Sequence, residues 1–566
     1  MTEEKWWHNA VVYQIYPRSF KDSNGDGIGD IPGIIEKLDY LTELGINTIW
    51  LCPVCCSPMV DNGYDVSDYR EINGEFGTLA DLDLLIREAD KRRIKVLLDL
   101  VLNHSSDKHE WFISATKAIR SGDTQNPYVD YYYFRQGKER PNNWRSYFGG
   151  SVWERIEGTD HWYLHLYAKE QPDLNWETPA LRRELYDMIY WWLDKGVAGF
   201  RIDAICNIKK ESGFADLPVD GPDGLANCLK SCLAYPGIET FLAEMRDEVF
   251  ERRQAFTVAE AAGVKPESLE KFIGKKGFFS TIFDFSYADI DIEPGFSYNK
   301  RHFFTYKELR GKILSSQIEI KKHGYGAPYL ENHDQNRSPN KYLEEKERTF
   351  EGISLLGILY FFLQGIPFIY QGQELGMTNY PWKSIDEFDD VSAHDQYRRM
   401  LLAGLPEKES LQLVAYRSRD NARTPMLWND SAHAGFSTAT PWLPVHPDYK
   451  RINAEFQGKD CDSVLAFYKK MIRLRKGHQK LFVYGDFIPF LPEDENIIAY
   501  ERTYEGEQVQ VLCNFSPKTQ KLPVKPGFIW LGNCRNTGDH IEGEITLAHL
   551  EACVIGNKNI EENANG

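Results

Sequence analysis

The chain has 566 residues, of which 42% are hydrophobic and 13% aromatic, as expected for a globular protein of several structural units. Its 66 Lys and Arg residues and 84 Asp and Glu residues give a formal net charge of −18, and this acidic balance argues against nucleic-acid binding. The N-terminus lacks the features of a signal peptide, and no apolar run reaches the roughly 18 residues that span a membrane. We therefore expect a cytoplasmic monomer or weak homo-oligomer without membrane or nucleic-acid partners.

The ten cysteines do not indicate a metal site or a disulfide framework. Cys52 and Cys55 form one C-x-x-C, with Cys56 adjacent, but no second pair lies at the spacing of a zinc ribbon. We expect all ten to be reduced residues that serve packing.

Eight short apolar runs alternate with helical stretches, which is typical of β/α units around a parallel sheet. The runs are residues 10–17, 47–53, 95–101, 199–205, 255–261, 281–285, 326–332 and 366–372. They predict an α/β protein with a closed (β/α)8 TIM barrel, whose active site would lie at the carboxyl ends of the strands. A doubly wound open sheet is the alternative, and it is weakened because no G-x-G-x-x-G follows the first run.

The segment after the first predicted strand is rich in Asp and Gly. Its oxygen-bearing residues follow the first nine ligand positions of an EF-hand loop. They are Asp22, Asn24, Asp26, Ile28 (through its carbonyl) and Asp30. Gly33 stands where an EF-hand has its bidentate Glu, so the segment is not an EF-hand. A structural cation loop and a simple Gly/Asp-rich turn both remain open on the residues alone.

Two other stretches do not fit the barrel pattern. Residues 105–176 are too long for one crossover and predict an inserted subdomain after strand three. Beyond residue 485, short alternating segments predict a C-terminal antiparallel β-sandwich over 485–566, which leaves the barrel 1–104 and 177–484. Four apolar residues share one helical face and predict the last barrel helix. They are Val464, Phe467, Met471 and Leu474.

Three acids stand at or just after the ends of predicted strands: Asp203, Glu260 and Asp334, on strands four, five and seven. A charged residue at the end of a buried strand is costly unless it is paired or functional. Glycoside hydrolysis with retention needs a carboxylate nucleophile and a protonated carboxylic acid about 5 Å apart. A third carboxylate can stabilise positive charge on the sugar. Three acids at one barrel mouth therefore favour glycoside hydrolysis.

The segments 99–104, 199–204, 258–264 and 330–337 resemble the four signature regions of the α-amylase family, glycoside hydrolase family 13. The run QPDLN at 171–175 is similar to the marker of its oligo-1,6-glucosidase and α-glucosidase branch. The resemblance extends from about Trp6 to about Phe515. It implies a retaining exo-acting α-glucosidase that hydrolyses α-1,6 or α-1,4 bonds of short oligosaccharides by double displacement, without an organic cofactor.

The resemblance implies a catalytic role for each of the three acids. Asp203 matches the nucleophile, Glu260 the general acid/base and Asp334 the transition-state stabiliser. Arg201 matches the arginine that orients the nucleophile and keeps it ionised.

The resemblance also implies residues that bind sugar. They are His104 and His333, which would bond sugar hydroxyls; Asp61 and Tyr64, which would hold the terminal glucose; Arg419, which would pair with Asp61; and Tyr167, beside the sugar ring. A closed pocket of this kind implies exo action on small-molecule oligosaccharides. For the loop at 22–30, the resemblance implies a structural Ca²⁺ or Mg²⁺ far from catalysis.

One position departs from the family pattern. Ala204 follows the expected nucleophile, where α-1,6-selective relatives often carry Val and α-1,4-selective ones Thr. Ala261 and Ala262 are also small, which suggests a roomy site for the leaving group. Linkage preference therefore stays open.

Three alternatives belong to the same family. One is a sucrose-acting, isomerising or transglucosylating enzyme, and the segment after Asp334 lacks an obvious Arg-rich loop for it. Another is a trehalose-6-phosphate hydrolase, which would need a basic phosphate pocket. A remote one is a non-catalytic protein like the heavy chains of amino-acid transporters, which have a membrane span and have lost the catalytic groups.

Overall fold

The structure of the chain, a computed structural model, describes residues 4–293 and 296–560. Eight parallel strands form a barrel, and each lies inside one of the eight predicted runs. They are β1 (Val12–Ile15), β2 (Thr48–Leu51), β3 (Lys95–Val101), β4 (Gly199–Asp203), β5 (Phe256–Ala259), β6 (Thr281–Phe283), β7 (Gly326–Ala327) and β8 (Phe368–Tyr370). The predicted TIM barrel is confirmed.

Each strand pairs in parallel with the next along the chain from β1 to β7, and β8 pairs with β1. Two backbone hydrogen bonds join the flanks of β7 and β8: Ile366 donates to the Gly326 carbonyl (2.9 Å) and Phe368 to the Pro328 carbonyl (3.0 Å). These bonds complete the circle, so the doubly wound open sheet is excluded.

Alternate side chains of the strands build two separate cores. One fills the barrel interior and the other lies between the strands and the surrounding helices. The interior core includes Val12, Trp50, Leu97, Phe256, Phe283 and Phe368. The outer core includes Tyr13, Ile49, Leu98, Phe200 and Ile282. Because strands are hydrophobic on both faces, they read as continuous apolar runs in the sequence.

Helices follow the strands around the barrel. They are Ile31–Glu36, Leu38–Leu44, Leu79–Lys91, Pro179–Asp194, Ile238–Met245, Leu269–Ile273, Tyr306–Lys321, Phe350–Phe361 and Val464–Gly477. Side chains cap the N-termini of two of these helices. Thr78 accepts a hydrogen bond from the Asp81 amide in a capping box, and Asp30 accepts one from the Gly33 amide. All four residues predicted to share a face of the last helix are buried.

The insertion after β3 contains the helix Glu110–Ser121 and a three-stranded antiparallel sheet. The strands of that sheet are Phe134–Gln136, Trp153–Arg155 and His161–Leu164. A segment that follows β4 joins it, because Ala226–Asn227 pairs in parallel with Trp144–Arg145. The sequence had not indicated this second contribution to the insertion.

A further lobe lies between β8 and the last barrel helix, in residues that the sequence had assigned to the barrel. Its helices are Val391–Leu402, Glu407–Arg417 and Asp420–Arg423.

The C-terminal region is antiparallel, as predicted. One sheet has six strands, in the spatial order Asp486–Phe490, Ile497–Tyr504, Glu507–Asn514, Ala552–Gly556, Gly527–Gly532 and His540–Ile541. Gln520–Pro523 and Glu544–Leu547 form a second, two-stranded sheet. Residues 561–566 of the predicted domain lie outside the described residues.

All ten cysteines are free thiols. Within 4–293 and 296–560, we find no helix that has both the length and the apolarity to cross a membrane.

Candidate active site

The carboxyl ends of β3, β4 and β5 bring three acids to one guanidinium. Register pairs Arg201 on β4 with Asp99 on β3, and the Glu260 amide donates to the Ile202 carbonyl (3.0 Å). Arg201 points into the barrel mouth because its neighbours on β4, Phe200 and Ile202, face the outer core. The strand ends thereby place the functional side chains on one side of the sheet.

Arg201 is 2% exposed and binds three carboxylates. Its Nη1 lies 2.9 Å from Asp99 Oδ1 and 2.5 Å from Asp203 Oδ1, and its Nη2 lies 3.0 Å from Glu260 Oε2. The Ala204 amide also donates to Glu260 Oε2 (3.0 Å). One planar fork thus fixes the two acids that a retaining mechanism needs side by side.

Burial raises the pKa of Asp203 well above its usual value, repulsion from Glu260 and Asp99 adds to the rise, and Arg201 opposes both. Burial likewise raises the pKa of Asp99 to about 6 against the opposing Arg201. One positive charge cannot balance three carboxylates, two of them buried, so the cluster favours retention of a proton.

Asp334 lies opposite this cluster, after β7. Its Oδ1 accepts from Arg423 Nη2 (3.0 Å), and its Oδ2 lies 3.1 Å from His333 Nε2. Although burial acts to raise the pKa of Asp334, His333, Arg419 and Arg423 lower it below its ordinary value. Asp334 is therefore an anionic group at the cavity wall.

His333 and Tyr64 form a stacked pair beside Asp334. Their ring centroids are 5.4 Å apart with an interplanar angle of 13°, and the Tyr64 hydroxyl donates to Asp99 Oδ2 (2.9 Å). Burial lowers the pKa of His333 to about 3. The ring is therefore neutral at physiological pH.

An ion-pair network centred on Arg419 forms part of the cavity wall. Its Nη2 lies 2.9 Å from Asp61 Oδ1, and its guanidinium binds Asp390 in a bidentate manner, at 3.0 Å from Nε and 2.6 Å from Nη2. The sequence resemblance had implied the partner Asp61 but gave no sign of Asp390. Asp390 stands in a loop of the late lobe, where no strand end or motif marks it.

His104 lies next to this network. Its Nε2 contacts the Tyr64 carbonyl (3.1 Å), and Gln171 Nε2 lies 3.2 Å from both His104 Nε2 and Asp61 Oδ2. The QPDLN run thus places Gln171 between two residues of the site. Burial lowers the pKa of His104 to about 4, so this ring is also neutral near pH 7.

Aromatic side chains form the remaining wall. Tyr167 lies 5.1 Å from the His104 ring, 5.1 Å from Tyr147 and 5.6 Å from Phe148, measured between centroids. Arg419 lies over Phe148 at 5.2 Å. Such rings offer apolar faces to the carbon skeleton of a sugar.

Together these groups line one cavity of about 250 Å³. It contains eight of the ten predicted catalytic and substrate-binding residues. The other two, Arg201 and His333, are buried behind its wall. The predicted residues on its wall are Asp61, Tyr64, His104, Tyr167, Asp203, Glu260, Asp334 and Arg419. The lining residues that sequence reasoning missed are Tyr147, Phe148, Asp390, Ser392, Gln396, Arg417 and Ser418.

The predicted cation loop has its own hydrogen bonds. Asp22 accepts from the amides of Gly25 (2.7 Å) and Gly27 (2.9 Å), both glycines having positive φ, and from Ser437 Oγ (2.6 Å). Asp30 accepts from the Gly33 amide (2.6 Å). The oxygen-only donor set suits a hard cation.

The carboxylates of this loop do not converge as tightly as a filled site would require. Among the residues that the structure describes, one group of three acidic or thiol side chains has its ligand atoms within 4.8 Å of one another: the exposed Asp460, Cys461 and Asp462. Asp22, Asp26 and Asp30 do not form such a group.

A family model described as "Alpha amylase, catalytic domain" matches residues 14–485. The chain is 45% identical to an oligo-1,6-glucosidase of Parageobacillus thermoglucosidasius, over 91% of this chain and 92% of the relative. It is 40% identical to a glucan 1,6-alpha-glucosidase of Streptococcus pneumoniae, over 92% and 94% respectively.

Solved structures give the same assignment. The isomaltulose synthase of Klebsiella sp. LX3 superposes with a TM-score of 0.92 at 37% identity, over 98% of this chain and 99% of that one. The trehalose-6-phosphate hydrolase of Bacillus licheniformis gives a TM-score of 0.88 at 37% identity, over 98% and 100%. The barrel, the acids at its mouth and these likenesses lead to one conclusion: the chain belongs to the α-amylase family and is a glycoside hydrolase.

Proposed function

We propose that this enzyme is a retaining, exo-acting α-glucosidase that removes terminal α-linked glucose from short oligosaccharides. The observation that carries the proposal is the Arg201 fork, which holds Asp203 and Glu260 side by side in a cavity that the Arg419–Asp61 ion pair also lines. We infer that this ion pair closes the cavity behind the terminal glucose. A closed end admits the terminus of a sugar chain but not its middle.

The chemistry assigned to the site is double displacement. Asp203 attacks the anomeric carbon while Glu260 protonates the departing glycosidic oxygen. Glu260 then takes a proton from water, which displaces Asp203 and releases α-glucose. Asp334, held anionic by Arg423 and Arg419, stabilises the positive charge that develops on the sugar ring.

The terminal glucose would be held by the side walls. The neutral His104 ring would bond a sugar hydroxyl by exchanging its contact with the Tyr64 carbonyl. His333, buried behind the wall, would support Tyr64 and Asp334. Asp61, anchored by Arg419, would accept hydroxyl protons, and Tyr167 would pack against the ring.

An α-1,6 bond is the first candidate linkage, because the more similar relatives carry 1,6-glucosidase names. Ala204 and Ala261, both buried beside the acids, leave space at the position of the leaving group. That space favours acceptance of α-1,4 bonds as well.

The phosphorylated-substrate alternative is disfavoured by charge. The cavity contains two arginines, Arg417 and Arg419, and both face acids. Arg417 Nη1 lies 3.5 Å from Asp291, and Arg419 binds Asp61 and Asp390. A phosphate would have to compete with these carboxylates.

The test is product analysis with isomaltose, maltose, sucrose, trehalose and trehalose-6-phosphate, with the Asp203→Asn variant as the inactive control. We expect glucose from isomaltose or maltose. New disaccharides from sucrose would move the assignment to an isomerising enzyme, phosphorylated products to a trehalose-6-phosphate hydrolase, and no reaction with any substrate to a non-catalytic protein.

We also propose that the loop at 22–30 binds a structural Ca²⁺ or Mg²⁺ through Asp22, Asn24, Asp26, the Ile28 carbonyl and Asp30, away from the cavity. A cytoplasmic location and a monomeric or weakly associated state are proposed as well. Ten free thiols support a reducing compartment.

A further inference from the structure

Two cysteine thiols contact each other behind the aromatic wall of the cavity. Cys228 Sγ and Cys232 Sγ are 3.4 Å apart, and both residues are at most 1% exposed. Cys228 directly precedes the one-turn helix Leu229–Cys232. Residues four apart on a helical turn face each other, at a separation that a disulfide can span.

This pair is joined to the cavity by hydrogen bonds. The Tyr147 hydroxyl lies 3.4 Å from Cys232 Sγ, and Tyr147 lines the cavity. Asn207 Nδ2 donates to the Tyr147 hydroxyl (2.8 Å) and to the Cys232 carbonyl (2.9 Å), while the Tyr167 hydroxyl donates to Asn207 Oδ1 (3.4 Å). Cys232 is therefore one contact away from the substrate wall.

The backbone makes a second connection. Ala226–Asn227, just before Cys228, pairs with Trp144–Arg145, just before Tyr147. The Cys228 thiol donates to the Arg145 carbonyl (3.5 Å). A displacement of Cys228 is thereby transmitted to the strand that leads into the cavity wall.

The surroundings lower the pKa of one member of the pair. The hydrogen bond between the two thiols lowers the pKa of Cys232, burial opposes this decrease, and Tyr147 and Lys210 add to it. Asp173, which pairs with Lys210 at 2.8 Å, acts against them. A thiolate is the form of cysteine that reacts with oxidants.

We propose that Cys228 and Cys232 are a redox pair, and that their oxidation by hydrogen peroxide to an intramolecular disulfide disturbs the Tyr147 wall of the substrate cavity. The Cys232 thiolate attacks peroxide, which gives a sulfenic acid and hydroxide. Cys228 sulfur then displaces water from the sulfenic acid and forms the S–S bond. Overall, two thiols and one peroxide give one disulfide and two waters.

The disulfide changes the contacts of Tyr147. The sulfur–sulfur distance falls from 3.4 Å to about 2.05 Å, which draws Cys232 away from the tyrosine hydroxyl. Loss of one such hydrogen bond predicts a rise in KM of about fivefold. The kcat should change less, because Arg201 and not Tyr147 anchors Asp203 and Glu260.

The experiment uses the full chain, treated with hydrogen peroxide and then with a thiol-alkylating reagent. Peptide mass spectrometry should find Cys228 and Cys232 linked, with KM raised and then restored by dithiothreitol. Thiols this buried should react slowly, after local opening of the segment. Modification of the exposed Cys461 without a link between Cys228 and Cys232 would overturn the inference.

Two variants separate the pair from other thiols. Cys228→Ala, with Cys228→Ser as the second variant in case the first folds poorly, should keep its KM after peroxide, whereas Cys461→Ala should respond like the parent. A rise in KM as large in the Cys228 variants as in the parent would also overturn the inference. The measurement of KM rests on the proposed function, whereas the disulfide is detected by mass spectrometry alone. If the enzyme is inactive before treatment, the proposed function is refuted. The mass of the Cys228–Cys232 peptides then still decides whether the disulfide forms.

Discussion

At the scale of single residues, the site is governed by an imbalance of charge. Arg201 faces Asp99, Asp203 and Glu260, so a single buried cation serves three acids. Asp334 is different, because Arg423 and Arg419 both lie within 3.6 Å of its Oδ1. The same residue type thus sits in two environments, one that favours retention of a proton and one that favours the anion.

The assignment of Glu260 as general acid predicts a dependence on the leaving group. In Glu260→Gln, kcat/KM for isomaltose should fall by about 10²–10⁴. For p-nitrophenyl α-glucoside the fall should be far smaller, because nitrophenolate departs without a proton. Steady-state kinetics with the two substrates measure the difference, and equal losses on both would remove Glu260 from this role.

The buried neutral ring of His104 predicts a pH-dependent loss of stability. The pKa of His104 is about 4 in the folded state, below the ordinary value of 6.5. As pH falls from about 6.5 towards 4, His104 is therefore protonated in the unfolded chain but stays neutral in the folded one. The folded state should therefore lose about 2 kcal/mol through His104 between pH 8 and pH 5. Above pH 6.5 this contribution vanishes.

Urea unfolding of the parent and of His104→Gln at both pH values isolates this contribution. The variant should lose less stability on acidification than the parent, whereas replacement of the exposed His540 by Gln should leave the parent's loss unchanged. Parallel losses in the parent and in His104→Gln would show that His104 does not carry the effect.

At the scale of elements, the loop at 22–30 connects β1 to the first helices. Its three acids are packed against amide donors, and Gly25 and Gly27 supply the positive φ of its turns. The loop offers oxygen donors of the kind that a hard divalent cation takes.

The proposed cation predicts a lower melting temperature in the presence of a chelator. At a free Ca²⁺ concentration about 100 times the Kd, the bound ion should contribute about 2.7 kcal/mol. Thermal unfolding with EDTA and with added Ca²⁺ measures this, and Asp26→Asn should weaken the response. Asp460→Asn, in the exposed acidic cluster, is the matched control. A melting temperature indifferent to EDTA and Ca²⁺ would contradict the proposal.

The barrel strands were predictable because each is a short apolar run with buried residues on both faces. The functional residues at the strand ends were also predictable, because a charged residue such as Asp203 stands out at the end of a buried apolar strand. Asp390 and Phe148 were not, because they come from loops whose positions depend on tertiary packing. Ala204 was noted for its size, but its left-handed backbone (φ 42°), which aims its amide at Glu260, has no sequence signal.

At the scale of the whole molecule, the buried Arg502 joins the C-terminal sheet to the barrel, and the buried Arg475 acts beside it from the last barrel helix. Arg475 Nη1 donates to the Phe361 carbonyl (2.6 Å), and Arg502 Nη1 donates to the Phe362 carbonyl (3.0 Å). Both side chains cap the end of the barrel helix Phe350–Phe361. They satisfy carbonyls that the helix leaves without partners.

Arg502→Leu should therefore lower the free energy of unfolding without changing the active site. Loss of these hydrogen bonds leaves buried carbonyls unsatisfied, and we expect a destabilisation of about 3 kcal/mol. Differential scanning calorimetry should show a lower melting temperature while KM at 25 °C is unchanged. A variant with the parent's melting temperature would contradict this account of the domain junction.

The central claim, hydrolysis with retention by Asp203 and Glu260 on one guanidinium fork, is tested most directly by the anomer first released. Proton NMR of isomaltose hydrolysis, recorded before mutarotation, should show α-glucose as the initial product from the non-reducing end. Initial β-glucose would mean a single displacement by water, and it would contradict the assignment of Asp203 as nucleophile.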